Sequence, residues 1–570
     1  MLNVLFYHGL DTIKSSDNKN QNLYLSIVIL YLKTYIDINK PGIADQINWI
    51  LPEQHKISDE ELINLCYDNK VDILCTSHNI WSDAYVHAQL LRIKNKLPPN
   101  TKVVVGGPNI DVHTNKQFFS DRPYVDYAIY GAGEVAFGDL IESIILQKKL
   151  ITLNTSNIAW FNKKTNKLSV AKFSYVPITK VSPYTHNALL LEKMIAKERS
   201  KGINITLIYE LTRGCPYSCT FCDWNQGLSN KVSRRRETYK DEIDLFHKLG
   251  IKDLFLADAN TGQYAEDIEM VEYLVEKNLK EKAGFIVDAN YSKLQKKNNL
   301  KIYHLLAKGK LVNRHWGFTL SVQDINKQVL ENIDRPDIGW DEHVKIIQEL
   351  TEAYPWSFPK VQLIMGLPGQ TVNTWRNTLR EVAKNKVYLI IFINEILPAS
   401  PAILDPEYQR KFQYDYSTSE RYAGNDQRFI YGKFPKSCVS FSSKDFVKMV
   451  LLSTIYTALT IIRNSEFHTD EFDLEEVVDN FLVSKEYQEL YNNLLDNWEN
   501  KDKFYYTKTF GGNNMLVSAC QIDSTAGDWI RELSFVKFLS KHYKKPNPVI
   551  IKELLNWKDK TPWEKYDTID

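Results

Sequence analysis

Short apolar runs alternate with amphipathic segments along the first 150 residues of the chain. Runs typical of buried strands lie at residues 3–9, 47–53, 71–78, 102–108 and 125–131, and helical spacing of apolar residues lies between and after them, at 23–36, 59–67, 84–96 and 134–146. This alternation predicts a parallel sheet covered by helices on both faces. Because crossovers between parallel strands are right-handed, we expect an α/β, doubly wound, flavodoxin-like domain over residues 1–150. Ligands of such domains bind beyond the carboxyl ends of the strands.

The alternation resumes after a connector, residues 151–202, in which we expect a hairpin at 158–173 and a helix at 189–200. Strand-like runs then lie at 205–211, 253–258, 283–289, 315–322, 360–367 and 387–397, with helical patterns between them. This region, residues 203–408, predicts a partial or full parallel β/α barrel with its chemistry at the C-terminal ends of the strands. From about Gln409 the strand signal fades, so residues 409–570 predict a mostly α region.

Composition narrows the class of protein. The 71 Lys and Arg residues balance 70 Asp and Glu residues, and a net charge of +1 provides no field for general nucleic-acid binding. No apolar run approaches the ~20 residues of a transmembrane helix, and the first residues lack the basic start of a signal peptide. Seven cysteines are too few for a disulfide scaffold, and three of them are clustered. We therefore expect a cytoplasmic protein with one local cysteine chemistry and no transmembrane segment.

The cysteine cluster lies in the segment LTRGCPYSCTFCDW, which directly follows the first predicted barrel strand. Cys215, Cys219 and Cys222 are spaced C-x3-C-x2-C. Such short spacing lets three thiolates converge on one metal centre at little cost in loop closure. Three thiolates with no fourth Cys or His nearby fit a zinc tetrahedron poorly, but they suit a cubane iron–sulfur cluster with one open iron. A structural zinc site is the alternative interpretation.

The same segment, with Phe221 before the third cysteine, resembles the radical S-adenosylmethionine (SAM) superfamily. Later segments are similar to that family in the same order: 254–262, 320–336, 363–371 and 396–401. The resemblance implies that the three cysteines bind a 4Fe–4S cluster, which cleaves SAM reductively to a 5′-deoxyadenosyl radical while its open iron chelates the amino and carboxylate groups of SAM. It also implies SAM contacts from Phe221, Asp258, Asn260, Ser321, Gln323, Arg335, Gly366 and Leu367.

Several of these residues also have structural interpretations. Asp258 and Asn260 end a strand, where either could cap a helix. Arg335 could form a surface ion pair, and Gly366 could simply form a turn. Ser321 and Gln323 alternate on one strand, so both would face the barrel interior, where polar groups need partners.

A doubly wound domain before such a barrel resembles the cobalamin-binding subclass of the superfamily. The segments that follow the third, fourth and fifth predicted strands supply the implied cobalamin contacts: Ser77, His78, Asn79, Gly106, Gly107, Pro108, Gly131, Gly133 and Glu134. Glycine at strand ends lets backbone approach a large flat ligand. The D-x-H-x-x-G motif that supplies histidine to cobalt in many cobalamin domains is absent, since His8 lacks the preceding aspartate. The resemblance thus implies cobalamin without a histidine ligand, and the alternatives are a structural flavodoxin-like domain that has lost the cofactor and one that holds another ligand.

Taken together, the resemblance implies a cobalamin-dependent methyltransferase acting on an unactivated carbon of a small-molecule or peptide substrate. One SAM would methylate cob(I)alamin, and a second would give the radical that abstracts substrate hydrogen. An electron donor such as flavodoxin or ferredoxin is the implied partner. The alternatives are a radical SAM catalyst of cyclisation or rearrangement without cobalamin turnover, and a non-catalytic metal- or tetrapyrrole-binding sensor. The C-terminal region carries no motif that identifies a substrate.

Overall fold

The structure is a computed structural model that describes residues 1–506, except 15–20, 80–81, 114, 116, 149–154, 163–164, 166, 225–230, 313–317, 357–358, 396, 398–399, 424–426, 465–472 and 502–503. Part of the predicted hairpin turn, the start of the predicted strand at 315–322 and part of the segment 396–401 therefore lie outside the described residues.

The strands, in chain order, are β1 Leu2–Leu10, β2 Ile13–Lys14, β3 Gln21–Leu25, β4 Ile47–Trp49, β5 Glu53–His55, β6 Ile73–Ser77, β7 Lys102–Gly106, β8 Tyr127–Ile129, β9 Ile158–Asn162, β10 Lys167–Val170, β11 Ile203–Tyr209, β12 Thr212–Gly214, β13 Val232–Arg234, β14 Asp253–Thr261, β15 Ile286–Tyr291, β16 Thr319–Gln323, β17 Lys360–Met365, β18 Tyr388–Ile393, β19 Asp415–Ala423, β20 Gln427–Ser437 and β21 Phe504–Tyr506.

The helices are α1 Val28–Asn39, α2 Pro41–Ala44, α3 Asp59–Asp68, α4 Asp83–Ile93, α5 Phe118–Asp121, α6 Glu134–Ile145, α7 Pro183–His186, α8 Ala188–Arg199, α9 Tyr239–Lys248, α10 Ala265–Glu281, α11 Lys296–Lys308, α12 Lys327–Asn332, α13 Trp340–Ala353, α14 Val372–Ala383, α15 Pro401–Leu404, α16 Pro406–Phe412, α17 Ser443–Asn464, α18 Leu474–Leu482 and α19 Lys485–Lys501.

The first sheet confirms the predicted doubly wound fold. Its order is β10-β9-β8-β7-β6-β1-β4, with β5 also paired to β1, and the strands from β4 to β8 run parallel. Alternate residues of β1 face two separate cores, since Val4 and Phe6 join one and Leu5 and Tyr7 the other. The hairpin β9–β10, in the predicted connector, extends this sheet through antiparallel pairing with β8.

The second alternating region forms two sheets. One is ordered β15-β14-β11-β3-β2, takes β2 and β3 from the start of the chain and is parallel except for the antiparallel β2–β3 pair, and the other is the parallel sheet β16-β17-β18. Each of the strands β14 to β18 is followed in the chain by a helix, and β11 is followed by the short strands β12 and β13 and then by α9, as the predicted partial barrel requires. The predicted helix at 23–36 is wrong at its start, because residues 21–25 form β3, which pairs in parallel with β11. Leu23 and Leu25 are buried while their neighbours are not, so a period of two fits this stretch.

The described part of the C-terminal region, residues 409–506 without the gaps given above, is largely helical, as predicted, and α17 packs on α14 and β18. The rest of the region, from residue 507 onward, lies outside the described residues. The indole N–H of the buried Trp375 on α14 donates to Ser453 Oγ on α17 at 2.9 Å. The antiparallel hairpin β19–β20, joined by β21, was not predicted. Among the described residues, no helix combines the length and apolar character that crossing a membrane requires.

Candidate active site

The cluster loop, residues 211–224, begins where β11 ends. Cys215 and Cys219 are buried, Cys222 is half-buried, and all three are free thiols. The Cys222 N–H donates to the Cys219 carbonyl at 3.1 Å, which forms a tight turn between the last two cysteines. Within the described residues, no three His, Cys, Asp or Glu side chains are already arranged to hold a metal ion. The structure thus brings the three cysteines onto one loop without closing them around a metal position.

Asp258 fixes the start of this loop. Its Oδ1 accepts the N–H groups of Leu211 and Thr212, each at 2.8 Å. Burial raises the pKa of this carboxyl to about 6, against the attraction of Arg236, whose Nη2 lies 3.6 Å from Oδ2. Asp258 therefore positions backbone, and its predicted contact with SAM stays a prediction.

Gly214 sets the backbone conformation at the start of the cluster loop. Gly214 has φ of +90°, and a Cβ at this position would lie 2.1 Å from the Lys231 carbonyl oxygen. The glycine pairs with Val232 in the short β12–β13 ladder, which brings the two ends of the cysteine segment together. Only glycine fits this conformation and this approach of two backbones.

Two hydrogen bonds reach the sulfur atoms. Asn260 Nδ2 lies 3.1 Å from Cys215 Sγ, and the Trp224 N–H lies 3.4 Å from Cys222 Sγ. Asn260 is buried on β14, two residues after Asp258, so one strand supplies both the backbone contact and the sulfur contact. Hydrogen bonds to sulfur are among the features that tune iron–sulfur clusters.

Arg335 brings a positive charge to the same place. Its buried guanidinium lies beside Cys219, and its Nη2 donates to the Ser321 carbonyl. Its Nε and Nη1 have no hydrogen-bond partner among the described residues. Burial lowers the pKa of Arg335, because a desolvated cation without a paired anion is costly.

The turn at Gly366 and Leu367 reaches the cluster loop through a shared apolar cluster. Gly366 has φ of +90°, and the N–H groups of both residues donate to Gln370 Oε1, at 2.7 and 3.0 Å. Leu367 is fully buried in a small apolar cluster against which Phe221 packs. Two predicted SAM residues from distant segments, Phe221 and Leu367, therefore lie together.

Ser321 and Gln323 do not follow the simple alternation that we expected. The β16–β17 register shifts between them, so that Ser321 pairs with Gln362 and Gln323 with Leu363. Ser321 Oγ donates to Gln362 Oε1 at 2.6 Å. Gln323 is buried with φ of +70°, a left-handed conformation that glutamine rarely adopts.

The predicted cobalamin residues lie at the carboxyl edge of the first sheet, which we define as residues 77–79, 106–108 and 131–134. His78 is fully buried and serves the fold, since its ring contacts Asp83 and Thr76. A Cβ on Gly107, whose φ is +115°, would lie 2.5 Å from the His78 carbonyl oxygen. A Cβ on Gly106 would instead find only the Ile129 carbonyl oxygen, at 3.7 Å, so Gly106 leaves room at this edge.

Ser77 and His8 form a second buried contact at the carboxyl edge. His8 Nδ1 lies 3.0 Å from Ser77 Oγ, and Nε2 has no partner among the described residues. Burial lowers the pKa of His8 to about 4, so the ring is neutral at neutral pH. Asn79, Pro108 and Gly131 complete the edge, and Gly133 precedes α6, which Glu134 begins.

The region that contains the three cysteines is similar to a known family. Residues 209–382 match the family model described as Radical SAM superfamily. The chain contains a radical SAM domain. A relative named cobalamin-dependent radical SAM methyltransferase TokK, from Streptomyces tokunonensis, is 28% identical over 333 residues. That alignment covers 58% of this chain and 48% of the relative, so the chain spans about half the length of the curated relative that it matches.

Two solved structures share the fold. The cobalamin-dependent SAM radical enzyme OxsB, solved with aqua-cobalamin and SAM bound, has a TM-score of 0.57 at 15% identity, covering 99% of this chain and 84% of that one. The radical SAM methyltransferase TsrM from Kitasatospora setae, solved with cobalamin and a 4Fe–4S cluster, has a TM-score of 0.55 at 11% identity, covering 80% of this chain and 89% of that one. At these identities the likeness shows the α/β fold alone.

Sequence reasoning missed the buried charges beneath the radical SAM domain's cluster loop. Residues 234–236 are three arginines, and Arg235 among them is fully buried in an ion pair with Glu242, with Nε 3.0 Å from Oε1. Arg236 pairs with Asp267. Three consecutive arginines a few residues after the cluster loop are the only sequence signal for this network, and the run alone does not reveal the carboxylates that partner it.

Residues after β18 also contribute unpredicted contacts. Thr220, inside the cluster loop, donates to the Tyr408 hydroxyl at 3.1 Å, and the Tyr414 hydroxyl lies 3.3 Å from the Gly366 carbonyl oxygen. Asn394 Nδ2 donates to the same carbonyl at 3.2 Å. These residues tie the cluster loop and the Gly366 turn to the chain that follows the barrel.

Proposed function

We propose that this chain is a radical SAM enzyme in which Cys215, Cys219 and Cys222 bind a 4Fe–4S cluster. The observation that carries the proposal is a loop of three free thiols, two of them hydrogen-bonded by Asn260 and Trp224, inside a radical SAM domain. The donor set fits the cluster, since thiolates are its usual ligands and three of them leave one iron open. When bound, the cluster would supply the electron that cleaves SAM and the iron that holds its amino and carboxylate groups.

The residues around the cysteines have proposed tasks of their own. Arg335 offers the unpartnered Nε and Nη1 groups to an anion beside Cys219, such as the carboxylate of SAM. Phe221, packed against the apolar cluster that contains Leu367, would exclude water from one side of the loop. The turn at Gly366 would lie beside SAM, with its N–H and carbonyl groups held in place by Gln370, Tyr414 and Asn394.

We further propose that the carboxyl edge of the first sheet binds cobalamin and that the reaction is methyl transfer to an unactivated carbon of a small-molecule or peptide substrate. The names of TokK and TsrM as methyltransferases and the cobalamin bound by OxsB and TsrM support this proposal. So does the room that Gly106 leaves at the edge. Electrons would come from a donor such as flavodoxin or ferredoxin. These relatives do not favour cyclisation without cobalamin turnover or a non-catalytic sensor.

Anaerobic reconstitution tests the cluster. We expect iron and sulfide in the amounts of one 4Fe–4S cluster, an EPR signal that shifts when SAM is added, and 5′-deoxyadenosine after dithionite reduction. Alanine at Cys215, Cys219 or Cys222 should abolish iron binding, whereas Cys66→Ala, which removes a buried free thiol of the first domain, should not. Zinc as the only bound metal, or a cluster whose EPR signal ignores SAM, would refute the proposal.

Corrin absorbance tests the carboxyl edge. Gly106→Val places a side chain where the protein itself has room, so we expect a folded variant that keeps iron but loses cobalamin. Gly42→Val is the matched control, because no atom lies within 4 Å of its Cβ position. Equal cobalamin content in both variants would place the cofactor elsewhere or exclude it.

A further inference from the structure

Arg213 lies directly before Gly214 in the cluster loop and is enclosed by two carboxylates. Its Nη1 lies 2.6 Å from Glu134 Oε1, while Nε and Nη2 bind the two oxygens of Glu210 at 3.1 and 2.9 Å. The guanidinium also lies over the Tyr31 ring, 5.3 Å from its centroid. The Nε, Nη1 and Nη2 atoms of Arg213 therefore all have carboxylate partners in the protein.

These partners come from separate parts of the fold. Glu134 is the first residue of α6 and closes the carboxyl edge of the first sheet. Tyr31 lies on α1, and its hydroxyl bonds the Glu210 carbonyl. Tyr175, from the connector, donates to the Arg213 carbonyl at 3.3 Å. Arg213 thus joins the carboxyl edge to the cluster loop two residues before Cys215.

The geometry of arginine makes this link rigid. A planar guanidinium held on one carboxylate by two hydrogen bonds has its plane fixed, and its remaining N–H groups then point in a fixed direction. Here the Glu210 contact orients the group, and Nη1 is aimed at Glu134. The Glu134 side chain is 6% exposed and that of Arg213 17%, so little water is available to replace either partner. A lysine could keep the charge but could not hold both carboxylates in one plane.

We propose that Arg213 is a positioning residue that fixes the distance between the cluster loop and the carboxyl edge. The functional consequence rests on the proposed function. If SAM binds at the cluster and cobalamin at the carboxyl edge, the same contact sets the distance between them. The rate at which a group is transferred between two bound cofactors depends steeply on the distance between them, since a misplacement of about 1 Å can cost about 100-fold in rate.

A distance measurement on the full chain without cofactors tests the link itself. Spin labels introduced through unnatural amino acids at Leu146, after α6, and at Trp224, in the cluster loop, occupy exposed positions. We expect Arg213→Lys and Glu134→Gln to broaden the distance distribution. Arg92→Lys, which alters a bidentate arginine–aspartate pair on the surface of the first domain, should leave it unchanged. An unchanged distribution in both Arg213→Lys and Glu134→Gln would overturn the inference.

The reconstituted protein then tests the functional consequence. With iron and cobalamin contents equal to wild type, Arg213→Lys should broaden the distance between the cluster and cob(II)alamin measured by pulsed EPR. It should also raise the ratio of 5′-deoxyadenosine to methylated product by about tenfold or more, as an error of a fraction of an ångström predicts. A wild-type protein that loads neither cofactor would refute the proposed function, while the spin-label distances would still decide the role of Arg213. Glu134→Gln covers the case in which Arg213→Lys fails to fold.

Discussion

Replacing Gly214 with alanine tests whether the shape of the cluster loop serves metal binding. The added Cβ would lie 2.1 Å from the Lys231 carbonyl oxygen, and the φ of +90° is itself unfavourable for alanine. That oxygen belongs to backbone at the end of the β12–β13 ladder, so it cannot rotate away as a side chain would. Relief requires β12 and β13 to separate directly before Cys215.

Two costs add at this position. A left-handed backbone costs a non-glycine residue about 1–3 kcal/mol, by the usual range for strained conformations. Overpacking against fixed atoms costs about another 1–3 kcal/mol. Gly202→Ala separates the two, because Gly202 has φ of +76° with no atom within 4 Å of its Cβ position and so carries the first cost alone.

Chemical denaturation of both variants, followed by iron analysis after anaerobic reconstitution, measures the effect. We expect Gly202→Ala to lose about 1–3 kcal/mol of unfolding free energy and to keep its iron. Gly214→Ala should be less stable than this control and should bind iron at least about tenfold more weakly, since each 1.4 kcal/mol spent on distorting the loop costs that factor. Wild-type iron affinity in Gly214→Ala, with the stability of Gly202→Ala, would show that the loop does not depend on this close approach.

Three further predictions concern other parts of the molecule. Arg335→Gln should keep iron but lose the shift of the cluster's EPR signal on SAM addition, and an unaltered shift would remove Arg335 from the site. Burial lowers the pKa of Lys360 to about 7, so wild-type stability should fall as pH drops from about 10 to about 7, by at most about 1.4 kcal/mol per pH unit. Lys360→Met should flatten that slope in melting experiments across the range, and parallel slopes for both proteins would contradict it. Ser453→Ala leaves the buried indole N–H of Trp375 without its acceptor and should lower the free energy of unfolding by about 1–3 kcal/mol in denaturant titrations. A loss below about 0.5 kcal/mol would mean that another acceptor is available.

The central fold could be predicted because each parallel strand is a continuous apolar run set apart by helical spacing. β3 could not, because residues 21–25 carry an apolar pattern that continues into α1, and five residues do not separate a period of 2 from one of 3.6. What decides between them is the free edge of β11, with which β3 pairs. That edge belongs to a strand almost 200 residues later, and local pattern contains no information about it.

The hairpin β19–β20 is a different case, because its signal was present in the sequence. Gly424, Asn425 and Asp426, a turn-forming trio, stand between two stretches rich in tyrosine and phenylalanine. Helical patterns on either side led to a mostly α prediction for the whole region. The contact of Tyr414 with the Gly366 carbonyl could not have been foreseen, since it depends on where this region packs.

Within the site, spacing identified the cysteines, but it could not assign tasks to the polar residues around them. Asp258 and Asn260 occupy the same strand, and both looked like ligand contacts or helix caps. The structure separates them, since Asp258 accepts two backbone N–H groups while Asn260 donates to Cys215. Which partner each side chain finds depends on the atoms of the cluster loop that lie next to β14, and their positions are set by the tertiary fold.

The buried arginines around the cluster loop show which positive charge is available to a ligand. Arg213, Arg235 and Arg236 each form an ion pair with a carboxylate of the protein. Arg335 differs, because among the described residues it forms no ion pair with a carboxylate: Asp337 attracts it only from a distance, and its Nη2 donates to a neutral carbonyl, that of Ser321. A buried cation without an anion is costly, so the protein retains an unfavourable group directly beside Cys219. Binding of an anionic group there, such as the carboxylate of SAM, would recover that cost. A site prepared for a cofactor's carboxylate differs in this way from an ion-pair network that serves only the fold.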